Sequence, residues 1–363
     1  MKNRFRFLPA VFLLVALVMV SSLDAQVTEV GRTMDEDQDI SNRRIGSSAA
    51  TELLIPVGAR DMALGGASIA VTQGVEAIHW NPAGLARLGS SAEAIFSSLS
   101  YLADINLNYG AIGASFGRLG VVAVSIRSLD FGDISMTSHD DPEGDGGRTF
   151  SPAFITAGLS YAIAFSDRAN AGATIKVVSE KMGRVQGSAV AVDLGVQYHS
   201  IGGISGLDMG VAMKNFGPEV AFKGTGLLRR ATSSEGRRAE QYYSLEPASF
   251  QLPSVVEIGV TYDMSIGEGM GLTTSGAFVN NNLALNSFRV GSEISMNVQK
   301  ASLFGRGGME FATKGALDEH IFGPTVGFGL YYELVGINFM LDYAWRSVEF
   351  FDNNSVISLR LGF

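Results

Sequence analysis

Apolar and polar residues alternate one by one over long stretches of this chain. In the last segment Ile357, Leu359, Leu361 and Phe363 fall on one face, and Ser358, Arg360 and Gly362 on the other. Upstream, Ile337, Phe339, Leu341, Tyr343 and Trp345 oppose Asn338, Asp342 and Arg346, while Phe288, Val290, Ile294, Met296 and Val298 oppose Arg289, Glu293 and Asn297. Val190, Val192, Leu194, Val196 and Tyr198 stand against Asp193, Gln197 and His199. Val256, Ile258, Val260 and Tyr262 stand against Glu257 and Asp263, and Leu207, Met209, Val211 and Met213 against Asp208 and Lys214. A period of two marks a β-strand whose faces meet different surroundings. Such runs, bounded by Gly, Asn, Asp or Pro, predict fourteen strands near 93–101, 106–117, 119–131, 152–165, 169–181, 187–199, 205–216, 252–264, 270–279, 286–298, 301–311, 321–333, 335–346 and 354–363. Many are about twice the usual 5–6 residues of strands in soluble domains. They match the roughly 9–11 residues of a tilted strand crossing a bilayer.

Connection lengths test this reading, because outer-membrane barrels have short periplasmic turns and longer outside loops. The long connections, 132–151 and 217–251, are the third and seventh, while those around Arg118, 166–170, 200–204 and 265–269 are short and even-numbered. Hydrophobic residues make up 46% of the chain, yet beyond Val20 no apolar run reaches membrane-helix length. An apolar chain without membrane helices points to the other fold that satisfies its backbone in lipid, a closed antiparallel all-β barrel.

The N-terminus carries Lys2, Arg4 and Arg6, an apolar run from Phe7 to Val20, and a polar stretch to Ala25, the layout of a cleavable signal peptide. Its apolar run is shorter than the roughly 20 residues a membrane helix needs. Cleavage after Ala25 takes the charge to 24 basic (27 − 3) against 35 acidic (36 − 1), which argues against nucleic acid as a partner. The chain has no cysteine, and so no lipid-anchor thiol, disulfide or thiolate metal site. The expected organisation is a signal peptide over 1–25, a polar arm over 26–52, a hatch segment over 53–90 and a barrel over 91–363, placed in the bacterial outer membrane.

Residues 53–88 are apolar and rich in small residues, too broken by Gly and Pro for a membrane strand. Gly58-Ala59-Arg60, Gly65-Gly66-Ala67 and Trp80-Asn81-Pro82-Ala83-Gly84-Leu85 resemble the N-terminal motif of the PorV/PorQ-like outer-membrane proteins, distant relatives of the FadL-type fatty-acid transporters. Asp130-Phe131-Gly132-Asp133-Ile134 and Asn215-Phe216-Gly217-Pro218 extend the likeness. The resemblance implies a fourteen-stranded barrel with an internal hatch, and a terminal aromatic, Phe363, that helps the assembly machinery recognise the last strand. It also implies a non-enzymatic role with one of two partner sets. The preferred reading is an accessory of type IX protein secretion that contacts a translocon and exported cargo. The alternative is a channel for hydrophobic small molecules such as long-chain fatty acids. Independently of any family, Asn81 suits a helix cap and Pro82 a first turn, which predicts a short helix through Leu88.

Candidate chemistry changes this picture little. Four histidines, His79, His139, His199 and His320, stand without a nucleophile elbow, so no catalytic residues are expected. Asp140, Asp141, Glu143 and Asp145 resemble the start of a calcium loop, but Pro152 replaces the closing Glu, so neither metal nor cofactor is expected. Arg229, Arg230, Arg237 and Arg238 with Tyr242 and Tyr243 form a basic-aromatic loop that could meet lipopolysaccharide or another partner at the lipid surface. The inward positions hold Arg127, Lys176, Asp193, Asp208, Lys214, Glu257, Asp263, Arg289, Glu293, Asp342, Arg346 and Arg360. Charges of both signs favour paired groups and a plugged lumen over a dry apolar tunnel.

Overall fold

The computed structural model describes residues 48–137, 139–144, 146–231, 241–282, 286–312 and 320–363. The predicted signal peptide, the polar arm up to residue 47, Asp145, Arg237 and Arg238 lie outside the described residues.

The predicted alternation is realised in a closed wall of strands: β1 (Ala92–Ser100), β2 (Asn106–Ser115), β3 (Val121–Asp130), β4 (Ala153–Ser166), β5 (Ala169–Met182), β6 (Val185–Tyr198), β7 (Leu207–Phe216), β8 (Val255–Gly267), β9 (Met270–Asn281), β10 (Ser287–Val298), β11 (Ala301–Ala312), β12 (Phe322–Leu334), β13 (Ile337–Val348) and β14 (Asn354–Gly362). Each is antiparallel to its neighbours, and β14 pairs with β1 from Glu93↔Gly362 to Ser100↔Ser355. Closure leaves no edge with unsatisfied backbone groups to face lipid. One further strand of the sheet, Phe222–Lys223, pairs with β6 alone. Two ribbons, Ile134–Ser135 with Thr149–Phe150 and Leu228–Ala231 with Gln241–Ser244, are separate from the wall.

All fourteen predicted strands are present, and where an end moved the reason is local. β3 starts at Val121 because Gly117–Leu119 forms a 3₁₀ turn closed by Gly120 at φ 96, a value that only glycine adopts freely. β8 starts at Val255 because Pro253 offers no N–H to the ladder and Leu252 turns inward to complete burial. The even connections, 116–120, 167–168, 199–206, 268–269, 299–300 and 335–336, are all short. The end they form is the periplasmic one by the loop-length rule.

Residues 48–90 run through the lumen from the loop-rich end to the periplasmic end. They form a 3₁₀ turn (Thr51–Leu54), α1 (Ala59–Ala63), a turn (Gly74–Glu76), α2 (Ala77–Trp80) and a 3₁₀ helix (Pro82–Arg87). Ile55, Val57, Met62, Val75, Ile78 and Leu85 meet Leu99, Leu107, Tyr109 and Leu129 of the wall in one apolar cluster, so the core of this barrel lies between hatch and wall. The wall makes room with inward glycines. A Cβ at Gly195 would lie 2.0 Å from Asn81 Oδ1, at Gly172 2.2 Å from Pro82 O, and at Gly291 2.3 Å from Leu64 O.

Candidate functional site

The motif residues are the joints of the hatch. Trp80 is buried, with Nε1 donating to Val57 O at 2.8 Å. Asn81 Oδ1 accepts from Ala83 N at 3.1 Å, while Nδ2 donates to Ile69 O at 2.8 Å and to Val196 O of the wall at 3.2 Å. Pro82 opens the following turn as expected, although that turn is 3₁₀ and ends at Arg87. Gly58 and Gly66 have positive φ, and their missing side chains leave room for Glu76 and Trp80. Gly65 passes over the Met309 backbone and Gly84 over Thr72 O. Arg60 reaches from α1 to Glu293, with Nε 3.2 Å from Oε2.

Most of the inward charges are paired. Lys176 meets Asp193 at 2.7 Å, Lys214 meets Glu257 at 2.8 Å, and Arg289 lies between Glu257 (3.3 Å) and Glu310 (3.1 Å). Arg306, fully buried, joins Glu293 and Asp342, each at 2.5 Å. Arg360 faces Glu76 of the hatch at 3.6 Å, and Glu93 and Asp342 at 3.9 Å. Asp208 accepts from His199 at 2.7 Å near the periplasmic end, and Asp263 stands exposed there, bonded to Thr273. Burial, reinforced by Asp61, pushes the Glu76 carboxyl well above the usual range.

Of the wall cations named from the sequence, Arg127 and Arg346 have no carboxylate within ion-pair distance among the described residues. Arg127 is used by the hatch, donating from Nη1 to Glu52 O at 2.8 Å and lying 2.7 Å from His79 Nδ1 by Nη2. Burial, and then Arg127, push the His79 imidazole well below its usual range, so Nδ1 is an acceptor. Arg346 is different: 8% exposed, it lies with Cζ 3.7 Å from the Phe322 ring centroid and lines an upper cavity. Asn354 orients it. With its amide nitrogen donating to Tyr101 O, Asn354 Oδ1 accepts from Arg346 Nη2 at 2.6 Å.

That cavity, about 550 Å³, sits above the hatch at the loop-rich end. Leu53, Leu54 and Ile55 of the hatch and Ile105, Phe131 and Phe154 of the wall give it apolar walls. His320, whose Nε2 is buried without a partner among the described residues, lies beside Phe322. A second cavity of about 370 Å³ opens below the hatch, lined by Arg60, Arg87, Glu93, Tyr331 and Phe339 among others.

No family model and no curated protein matches the chain. The fold does have solved counterparts. The toluene transporter TodX of Pseudomonas putida superposes with a TM-score of 0.54 at 12% identity, over 84% of this chain and 98% of that one. The toluene transporter TbuX of Ralstonia pickettii gives 0.52 at 13%, over 84% and 98%. The CymD monoaromatic hydrocarbon channel gives 0.52 at 11%, over 85% and 97%. In fold, this is a closed fourteen-stranded antiparallel barrel similar to those of the toluene transporters and the monoaromatic hydrocarbon channel. Like those barrels it joins a short N-terminal helical segment to a fourteen-stranded wall.

Within this barrel, the sequence pattern left out Glu180, Arg306 and Glu310 of the wall and Glu52, Asp61 and Glu76 of the hatch. Arg306 and Glu310 had a signal. They sit on the inward parity of the predicted strand at 301–311, but Gly305, Gly307 and Gly308 blur the alternation there. The hatch acids had none, because a segment without periodicity does not tell which side chains turn inward.

Proposed function

We propose that this barrel admits small amphiphilic molecules, with an apolar body and an anionic head, into the upper cavity and passes them inward when the hatch moves. Arg346 carries this reading. A buried guanidinium without a carboxylate among the described residues, held in place by Asn354 and Phe322, is a partner for a ligand anion. The cavity volume falls within the roughly 300–1,000 Å³ of small-molecule sites. The solved counterparts are named as transporters and channels of toluene and monoaromatic hydrocarbons, which supports the apolar half of the proposal.

The test is binding to purified barrel of a medium-chain alkyl carboxylate and of the alcohol of equal length. Wild type should prefer the carboxylate, and Arg346→Gln should lose about tenfold in carboxylate affinity, the order of one charge-assisted hydrogen bond, while leaving alcohol binding alone. Equal binding of both compounds by wild type would refute the proposed head-group site.

The accessory role in type IX secretion rests on the resemblance around Trp80–Leu85, and one structural feature favours it. The ribbon Leu228–Ala231 with Gln241–Ser244 is exposed along its whole length, and it sets Arg229 opposite Tyr243 and Arg230 opposite Tyr242. Such a basic-aromatic ribbon suits a protein surface or lipopolysaccharide phosphates. Partner recovery from native membranes that falls when the ribbon is shortened would support this reading, and unchanged export of cargo in a strain lacking the gene would remove it.

A further inference from the structure

One contact between hatch and wall lacks the donors that satisfy the others. Glu52, in the Thr51–Leu54 turn, is 3% exposed, and among the described residues neither of its carboxyl oxygens meets a hydrogen-bond donor. What lies against it is a second carboxyl, that of Glu180 on β5, 5% exposed and within hydrogen-bonding reach. Glu180 Oε1 accepts from Ala50 N at 3.0 Å, so the two acids face each other across the joint where the hatch first meets the wall. The surrounding charges relieve them only in part, Arg127 drawing the Glu52 carboxyl down less than burial and Glu180 raise it. Arg127 of β3 spends its guanidinium on the Glu52 main-chain oxygen and on His79 of α2. Lys176 of β5 and Asp193 of β6 pair with each other. Two buried carboxylates cannot both be ionised side by side, whereas a carboxylic acid and a carboxylate form a strong hydrogen bond.

We propose that Glu52 and Glu180 share one proton and form a latch that holds the N-terminal end of the hatch to the wall, so that removing the proton frees the Thr51–Leu54 turn. This turn lines the floor of the upper cavity, so the latch regulates the site described above and rests on that reading for its purpose, though not for its existence. The direction in pH follows. Burial first, and then Glu180, raise the Glu52 carboxyl from 4.5 to about 8. A group raised on folding contributes stability that is complete below its unfolded value and is lost as pH rises through the folded one. The latch is therefore firmest in acid, weakens through neutral pH as the proton becomes costlier to hold, and opens in mild alkali.

The native chain has no cysteine, so a single nitroxide can be placed at Leu54→Cys, a position 38% exposed at the cavity. Its spectrum is followed in full-length mature barrel reconstituted in lipid, from about pH 6 to about pH 10. The expected result is a mobile component that grows at least threefold around a midpoint near 8. The growth should disappear in Glu52→Gln and in Glu180→Gln, because an amide paired with a carboxyl keeps the hydrogen bond without titrating. An unchanged transition in both Gln variants would overturn the latch, as would a label that stays immobile in the wild type throughout the range. The measurement uses no ligand, so failure of the latch and failure of the head-group site are read separately.

Discussion

At the scale of residues, the hatch is held by a few side chains that each do several things. Asn81 caps a turn, ties it to Ile69 and reaches the wall at Val196. Asn81→Ala would remove all three contacts and leave the Ala83 N–H without its acceptor, at a cost of about 2–3 kcal/mol. We expect the Ala83 amide to exchange with deuterium about 30–150-fold faster, with β-sheet content unchanged. The sequence made Asn81 legible through local rules, since cap and proline adjacency needs no knowledge of the fold. It did not make Gly172, Gly195 or Gly291 legible as seats of the hatch. A glycine in an alternating strand reads as neither apolar nor polar, and its role shows only once the facing segment is in place.

At the scale of elements, the strands were legible because period two is imposed by lipid on one side and polar surroundings on the other, and this operates along the whole wall. Ends were less legible where turn chemistry decides, as at Gly120 and Pro253. Pairing across strands was not legible at all, because it depends on register. Arg306 of β11 joining Glu293 of β10 and Asp342 of β13 illustrates this: β12 lies between β11 and β13, and the arginine reaches across it inside the lumen. Arg306→Leu would leave Glu293 to Arg60 alone and Asp342 to the more distant Arg360, and should cost about 3 kcal/mol. Guanidinium-induced unfolding in lipid vesicles should register it, and Arg306→Leu combined with Asp342→Asn should recover part of the loss.

At the scale of the whole molecule, the paired lumen charges and the apolar contact between hatch and wall describe a plugged barrel with a chamber on each side. A plugged barrel conducts ions poorly. Planar bilayers holding the wild-type protein should show little steady conductance at neutral pH. Replacing Leu64 and Ile69, both fully buried, with Asp should displace the hatch from the wall and produce open-channel steps. Steady porin-like steps from wild type would contradict the closed lumen. The plug itself was legible as a broken apolar segment beside a barrel. Its two chambers were not, since cavities arise from how far a segment fails to fill the space around it.

The contact between the hatch and β14 carries a consequence for biogenesis. Ala59 N donates to Ser358 Oγ at 2.9 Å, and Glu76 faces Arg360. The hatch is thus tied to β14, the strand that closes the wall against β1. A half-built wall cannot seat its stopper, and a finished one offers the missing sites at the moment its seam closes. Sealing and completion become a single event, which spares the cell a leaky intermediate set loose among its lipids.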